Sequence, residues 1–272
     1  MAFLDEHLNE LAQPDPAARR AALERLLTAE GLAFTVQECE ADEKRKAARN
    51  YLLPAEGTAP LLCAHYDAHP GSVGANDNAA ACCILIALAK ELRRRGVKAA
   101  FAFFDGEENG HSGAKLYEAE RSQEHNLIVN LDMCGYGDTV AVYTRGGEKR
   151  AAARPFCDKA RLAAHNARLV KYLPEGDDVW FSTRRQTVLS IAIMPRWDTK
   201  YLDAMAAQGS GLLGRTPEFK MMIGQMEVSS TMHGGFRDAV KWVQPEAMQQ
   251  VYDYLLDSLC APPAPAKRFG LF

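Results

Sequence analysis

The fold is decided by "PLLCAHYDAHPGSVGANDNAAACCILIALAKELRRRGVKAAFAFFDG", residues 60–106. Two short apolar runs, at 60–65 and 98–106, flank a longer stretch whose length is typical of a helix. This helix is predicted to begin at Asp77 as its N-cap and to stop at Gly96. A strand, a helix and a second strand in this order predict a mostly parallel sheet with helices on both faces.

The same alternation continues on both sides of this stretch. A helical pattern, "SGAKLYEAERS", begins at residue 112, and a third apolar run, "NLIVNLD", covers 126–132. Residues 1–30 contain an amphipathic helical pattern. The last helix is predicted over 243–259, with Pro245 in its first turn. The chain is therefore expected to be an α/β protein.

Residues 138–226 are less regular than the rest. They contain a helical portion at 149–167, an acidic turn "PEGDDVWF" and a strand-like "TVLSIAIM". The Gly- and Met-rich segment 206–226 is predicted to be a long loop or a lid over a cleft. We expect one domain over 1–260 with this lid-like insertion, followed by a Pro-rich tail at 261–272 that is disordered or loosely docked.

Composition excludes several classes of partner. The chain has 272 residues and a formal net charge of -3, which favours neither nucleic acid nor an anionic membrane. No apolar run approaches the roughly 18 residues of a membrane helix. The start, "MAFLDEHLNE", has acids where a secretory signal has basic residues. Seven cysteines without a CxxC pair suggest free thiols, so we expect a cytoplasmic protein of undetermined oligomeric state.

Imidazole and carboxylate side chains follow each apolar run of the predicted sheet. Because ligands bind at the carboxyl ends of parallel strands, these side chains are expected to meet at one edge. A further histidine, far along the chain, is followed by two glycines in "SSTMHGGFRD". The candidate residues are His65, Asp67, Asp77, Asp105, Glu107, Glu108, Asp132 and His233.

Each of these residues also has a purely structural interpretation. Asp77 alone is more often a helix cap, and His65 alone is as well explained as a hydrogen-bonded histidine at a strand end. Asp132 alone fits a turn, and Glu107 with Glu108 fits a solvated loop. These interpretations do not explain why every strand ends in the same chemistry. The joint pattern favours one site.

The sequence resembles the co-catalytic zinc peptidase family that contains secreted bacterial leucyl aminopeptidases, glutamate carboxypeptidase and glutaminyl cyclase. The resemblance covers about residues 60 to 240. It rests on the motifs "HYD", "GANDNAAACCILIALAKEL", "FFDGEENGHSGA", "NLDMCGYGD" and "HGGFRD". It implies a three-layer α/β/α sandwich around a mixed, mostly parallel sheet.

The resemblance also implies two metal ions bridged by Asp77. His65 and Asp132 would complete the protein ligands of one ion, and Glu108 and His233 those of the other. Two divalent ions carry four positive charges, of which the three carboxylates offset three, so neutral imidazoles complete the coordination. Mixed imidazole and carboxylate ligands suit zinc, with cobalt or manganese as possible substitutes.

The remaining roles concern catalysis. Glu107 would be the general base, and Asp67 would stand behind His65 and fix its orientation. The implied activity is a dinuclear zinc exopeptidase, most simply an aminopeptidase that hydrolyses N-terminal peptide bonds through a metal-bridging hydroxide. Two alternatives stay open: an acyl transferase of the glutaminyl cyclase type, and a catalytically silent binding module.

One segment departs from the family pattern. "GDDVWF" stands where many relatives have a stretch resembling Ser-Asp-His-x-Pro-Phe, so Asp178 occupies the place of a histidine that steadies the oxyanion. Tyr136, Tyr172 or Arg184 is a candidate substitute donor. Asp177 and Asp178 fit either a site for a substrate ammonium group or a solvated acidic turn.

Two further groups of residues bear on substrate choice. Three arginines either bind a substrate carboxylate or are surface charges, so the sequence leaves open which peptide end is read. They are Arg184, Arg185 and Arg196. Five methionines either line an apolar substrate pocket or fill the core flexibly; they are Met205, Met221, Met222, Met226 and Met232.

Overall fold

A computed structural model describes residues 4–43, 45–121, 123–181, 186–208 and 216–261. Within these ranges, eight strands form one sheet in the order β1-β2-β4-β3-β5-β8-β6-β7. Their bounds are β1 Thr35–Cys39, β2 Ala48–Leu53, β3 Leu61–His65, β4 Ala100–Phe104, β5 Leu127–Leu131, β6 Thr139–Tyr143, β7 Ala167–Val170 and β8 Thr187–Met194. The predicted α/β class is confirmed.

The centre of the sheet is parallel and its edges are mixed. Strand β3 pairs in parallel with β4 and β5, and β5 pairs in parallel with β8. Strands β1, β2 and β4 pair antiparallel, as do β6 and β8, whereas β6 and β7 are parallel. Strands β3, β4, β5 and β8 are buried along their whole length, because helices cover both faces, as their continuous apolar sequences predict.

Within the described residues, the α-helices are α1 Leu8–Leu11, α2 Pro16–Ala29, α3 Ala80–Arg94, α4 Ser112–Glu120, α5 Lys159–Ala164, α6 Asp198–Gln208, α7 Pro217–Gln225 and α8 Pro245–Leu259. Alternating side chains of each central strand pack against helices on opposite faces of the sheet. In β4, Phe101 and Phe103 belong to the core beneath α2, α3 and α8, whereas Phe104 packs with Tyr117 of α4 on the opposite face. This arrangement is the predicted three-layer sandwich.

Helix α3 ends as predicted but begins later than predicted. Gly96 has φ +69°, and its N–H donates to the carbonyl of Arg93 at 3.1 Å, which closes the last turn. At the other end, Asp77 has the non-helical angles φ −113° and ψ 78°, and the helix starts at Ala80. The predicted N-cap role of Asp77 is therefore wrong, because its carboxylate is directed to the backbone N–H of His233.

The irregular part of the chain contributes more regular structure than expected. Strands β6, β7 and β8 all lie within 138–226, as do α5, α6 and α7. Within 206–226, α7 replaces the expected loop over Pro217–Gln225, since Thr216 accepts a capping hydrogen bond from Phe219 N–H at 3.2 Å and Pro217 fills the first turn. Residues 209–215 and the tail from 262 lie outside the described residues, so the lid and the tail stay predictions.

Among the helices that the structure describes, none combines the length and the apolar character that crossing a bilayer requires.

Candidate active site

The carboxyl end of β3 carries the first group of candidate ligands. His65 is the last residue of β3, and its Nε2 lies 3.3 Å from Asp77 Oδ1 and 3.6 Å from Asp132 Oδ1. Asp132 directly follows β5, the parallel neighbour of β3. The three ligand atoms lie within 4.8 Å of one another. The edge of the parallel sheet thus brings together residues that are far apart in sequence.

Asp77 also belongs to a second group, with Glu108 and His233. Here too the three ligand atoms lie within 4.8 Å of one another, and His233 Nε2 is 3.7 Å from Glu108 Oε2. The backbone N–H of His233 donates to Asp77 Oδ2 at 3.0 Å, with His233 in the left-handed region at φ 50°. Two potential metal positions therefore share one aspartate.

Several atoms of these two groups have no hydrogen-bond partner among the described residues. They are His65 Nε2, Glu108 Oε1 and Asp132 Oδ1, and each is buried. A buried polar atom without a partner costs roughly 1–3 kcal/mol, so such atoms normally face an ion, a water or a ligand. Imidazole nitrogen and carboxylate oxygen are the ligand types that zinc accepts. The residues present fit a zinc site.

The electrostatics of the site point the same way. Burial raises the pKa of Glu108 to about 8, with a further contribution from Asp77. Burial also raises the pKa of Asp132. Burial lowers the pKa of His65, but the close carboxylates of Asp132, Asp67 and Asp77 outweigh this and raise it well above its usual value. So many carboxylates in a small buried volume favour a bound cation or proton.

Asp67 connects the two loops that carry these ligands. Its Oδ1 accepts from Glu107 N–H at 3.0 Å, and its Oδ2 accepts from Glu108 N–H at 3.1 Å. Asp67 Oδ1 also lies 3.3 Å from His65 Nδ1. The carboxylate thus touches the ring of one candidate ligand and the backbone of another, which restricts the orientation of both. Asp105 does not join the site, because its carboxylate accepts from Arg49 N–H at 3.0 Å.

Asp238, the last residue of the "HGGFRD" motif, holds the loop that presents Asp77. Its Oδ1 accepts from the N–H groups of Asn76 and Asp77 at 3.0 and 3.2 Å. Its Oδ2 accepts from Ser72 Oγ at 2.6 Å. The second half of this motif therefore supports the loop of Asp77 and belongs to neither ligand group.

Sequence reasoning missed the role of Arg19. Its side chain is 2% exposed and donates to the carbonyls of Tyr66, Val73 and Gly74, at 2.6 and 2.9 Å for the latter two. The buried guanidinium thereby anchors the loop between β3 and Asp77. The sequence did carry a signal for this burial. Arg19 lies three residues before Ala22 and therefore on the apolar face of helix α2.

Glu107, the candidate general base, lies near two residues, His111 and Asp177, whose proximity to it the sequence did not predict. His111 Nδ1 is 3.4 Å from Glu107 Oε1 and 3.1 Å from Asp177 Oδ1. Burial raises the pKa of Glu107 to about 9; His65 opposes this shift, and the nearby carboxylates of Asp132 and Asp177 add to it. Glu107 belongs to neither ligand group, so it is free of the two potential metal positions.

Comparison with known families settles the relationship. The family model described as Peptidase family M28 matches residues 52–211, more than half of the chain. The chain belongs to peptidase family M28. No curated protein sequence matches it.

Solved structures similar to this M28 chain include glutaminyl cyclases and aminopeptidases. Glutaminyl cyclase from Porphyromonas gingivalis superposes with a TM-score of 0.66 at 18% identity, over 95% of each chain. The LapA aminopeptidase of Legionella pneumophila gives 0.65 at 12% identity, over 95% of this chain and 70% of that one. BSAP, a zinc aminopeptidase from Bacillus subtilis, gives 0.57 at 18%, over 79% and 49%. At these identities the likeness establishes the shared fold.

The departure at Asp178 has a structural explanation in this M28 chain. Asp178 is 1% exposed, and its Oδ2 accepts from Arg145 Nε at 2.6 Å. Asp177 is equally buried and contacts His111. Burial contradicts the solvated turn. Both carboxylates are already engaged by cationic or donor side chains, which disfavours them as the site of a substrate ammonium group.

The other candidate donors and cations are also placed elsewhere. Tyr136 Oη donates to Glu227, and Tyr172 packs edge-on against the ring of Phe219 at 5.6 Å between centroids. Arg196 is exposed, and its backbone N–H donates to Asp138 at 2.9 Å. Residues 184 and 185 lie outside the described residues.

A cavity of about 240 Å³ opens beside the two ligand groups. One wall is apolar, and it includes Met226 and Met232 of the methionines considered from the sequence. Met205 is instead buried in the core, and Met221 is 58% exposed. The lining residues are Asp77, Glu107, Asp132, Met133, Pro174, Glu175, Met194, Ile223, Met226, Val228, Ser229, Met232 and His233. A larger cavity of about 620 Å³ elsewhere contains none of the candidate ligands.

Proposed function

We propose that this M28 chain is a dinuclear zinc aminopeptidase. The observation that carries the proposal is the pair of ligand groups that share Asp77, with Glu107 beside them and outside both. A glutamate that holds no metal next to such a centre can serve as a base. This division of work between Glu107 and Glu108 explains why two glutamates stand side by side.

His65, Asp77 and Asp132 would hold one ion, and Asp77, Glu108 and His233 the other. When bound, zinc ions polarise a substrate carbonyl and lower the pKa of water towards neutrality. The three ligand carboxylates leave about one unit of positive charge from two divalent ions. That charge counters the raised pKa of the neighbouring glutamate and favours its ionised form.

Glu107 would move the proton during hydrolysis. Its carboxylate lines the cavity together with Asp77 and Asp132, so it faces the space that a scissile bond would occupy. Ionised, it can accept a proton from the attacking water and donate it to the leaving amine. Asp67 fixes the backbone N–H of Glu107 at 3.0 Å and limits movement of the base.

The cavity supports an exopeptidase that reads the amino end of a peptide. Its methionine, isoleucine and valine side chains suit an aliphatic terminal residue. Glu175 is exposed and lines the same cavity, so its carboxylate can receive a free ammonium group. Among the described residues, no lysine or arginine lines this cavity, which disfavours recognition of a carboxylate.

A cytoplasmic location is part of the proposal. Cys63, Cys82, Cys83 and Cys134 are buried free thiols, and the three other cysteines are also unpaired. Persistent free thiols are typical of a reducing compartment.

Glutaminyl cyclase chemistry is the second candidate, because the structural likeness to such enzymes extends over 95% of both chains. It would release ammonia from a peptide with N-terminal glutamine without cutting the chain. An apolar cavity wall disfavours it, since a buried side-chain amide needs hydrogen-bond partners. A catalytically silent module would hold little zinc, and metal analysis identifies it.

The test is digestion of a mixed peptide pool by zinc-reconstituted protein, followed by mass spectrometry, with N-acetylated copies of each peptide alongside. We expect loss of single N-terminal residues from the free peptides only. The Glu107→Gln variant serves as the matched control, because it should retain zinc while turnover falls by about 10²–10⁴-fold. Trimming of acetylated peptides, or full activity in the Glu107→Gln variant, would refute the proposal.

A further inference from the structure

The loop between Glu108 and α4 places an imidazole between two carboxylates. His111 Nδ1 lies 3.1 Å from Asp177 Oδ1 and 3.4 Å from Glu107 Oε1. Asp177 is 1% exposed, and its second oxygen has no hydrogen-bond partner among the described residues. His111 Nδ1 therefore lies between a buried carboxylate and the carboxylate of the candidate base.

The position of the ring is restricted from several sides. His111 has the left-handed angles φ 60° and ψ 38° immediately before α4. Its ring lies 6.4 Å from that of Trp180, which carries Lys115 Nζ 4.4 Å from its centroid. Two residues after His111, the N–H of Gly113 donates to the carbonyl of Asp105 at 2.7 Å, which closes the loop that contains the two glutamates. The imidazole is held by its neighbours rather than free in solvent.

We propose that His111 is a positioning residue, which orients the Glu107 carboxylate through its Nδ1–H with Asp177 as its fixed anchor. The proposal rests on the proposed function, because it assumes that Glu107 is the base. A bifurcated N–H between two carboxylate oxygens keeps both near one point and offsets part of their mutual repulsion. Without that donor the two carboxylates repel each other, and Glu107 turns away from the cavity.

A matched pair of variants separates the donor from the shape of the side chain. Asparagine and aspartate both tolerate the left-handed backbone and are nearly isosteric. His111→Asn keeps an N–H donor near the position of Nδ1, whereas His111→Asp replaces it with a third carboxylate. Both variants are compared with the wild type in the zinc-loaded full chain, with zinc content and thermal stability measured in parallel.

We expect His111→Asn to retain kcat within about fivefold of the wild type, and His111→Asp to lose about 100-fold in kcat. KM for a leucyl peptide should change by less than about threefold in both, because His111 does not line the cavity. Equal losses in the two variants, or no loss in His111→Asp at unchanged zinc content, would overturn the proposal.

A second measurement does not depend on activity. Nitrogen-15 NMR of selectively labelled histidine reports which ring nitrogen of His111 carries the proton, and His111→Asn assigns the resonance. We expect a protonated Nδ1 that shifts in the Glu107→Gln variant. A neutral ring protonated only at Nε2, or a resonance indifferent to Glu107→Gln, would refute the positioning role even if the wild type cleaves peptides. A protein without peptidase activity that shows the expected shift would instead refute only the proposed function.

Discussion

Replacing Glu107 by glutamine should stabilise the metal-free protein, by an amount that depends on pH. Burial raises the pKa of Glu107 to about 9 in the folded chain, against an ordinary value of 4.5. Between these two values the unfolded chain has released this proton and the folded chain retains it. The contribution of Glu107 to the stability of the folded chain is therefore largest below about pH 4.5, and it is lost as the pH rises towards 9.

The size of the effect follows from this difference. At pH 7 the loss is about 3–4 kcal/mol, from roughly 1.4 kcal/mol per pH unit over about 2.5 units. Glutamine has no charge to bury, so Glu107→Gln recovers this amount in the metal-free state. For a chain of this size the gain corresponds to a rise of roughly 8 °C in Tm. At about pH 5 the same substitution should change Tm by only a degree or two.

The assay is thermal unfolding of chelator-treated protein at about pH 5, 7 and 8.5, with Glu175→Gln as the control. Glu175 lines the same cavity but is exposed, so its replacement should change Tm little. Zinc should stabilise the wild type more at high pH than at low pH, because cations favour the ionised carboxylates. A Glu107→Gln effect that is the same at all three pH values would refute the reasoning.

Three further predictions concern the metal centre, the buried ion pair and the cavity. His233→Ala should lower bound zinc from two ions to one per chain by elemental analysis, because only one ligand group contains His233. Arg145→Leu should lower the free energy of unfolding in urea by about 3–5 kcal/mol, because it leaves the buried Asp178 carboxylate unpaired. Ile223→Ala should reduce the preference for leucyl over alanyl peptides by about fivefold in kcat/KM, because it removes apolar wall.

Each of these predictions has a control in the same chain. His165→Ala should keep two zinc ions, because His165 contacts Asp257 at 2.8 Å and belongs to neither ligand group. Adding Asp178→Asn to the arginine variant should recover most of the lost stability by removing the unpaired charge. Met221 lies on the same helix as Ile223 but is itself 58% exposed, so Met221→Ala should leave substrate preference unchanged. A control that behaves like its test variant would contradict the corresponding assignment.

Local sequence was sufficient to predict the central strands and most helices. A strand that is buried on both faces is recognisable from its continuous apolar sequence alone, without knowledge of which strands it pairs with. Gly96 ends α3 because glycine adopts a positive φ without steric cost. The carboxyl-end rule for parallel strands was likewise enough to expect His65 and Asp132 near each other. The resemblance to a known family, through the motif "HGGFRD", predicted that His233 would join the same site.

Tertiary contacts decided what the local pattern misread. Asp77 has the sequence signature of a helix cap, yet a hydrogen bond from His233, more than 150 residues away, takes its carboxylate. From the sequence, Arg19 is one of several cations on an amphipathic helix. Only the packed structure shows that it donates hydrogen bonds to three carbonyls of the loop between β3 and Asp77. Propensity is local, whereas these contacts join distant parts of the chain.

The sequence by itself determined the four central strands β3, β4, β5 and β8 and the order of the candidate ligands along the chain. Its resemblance to a known family predicted separate roles for Glu107 and Glu108. Only the tertiary structure decided that Asp178 pairs with Arg145, and that Asp177 and Glu107 meet at His111. The physical reason is that a buried charge requires a partner at hydrogen-bond distance, and which side chain supplies it depends on packing in three dimensions. A row of aspartates in sequence therefore does not reveal which of them is solvated, paired or shared.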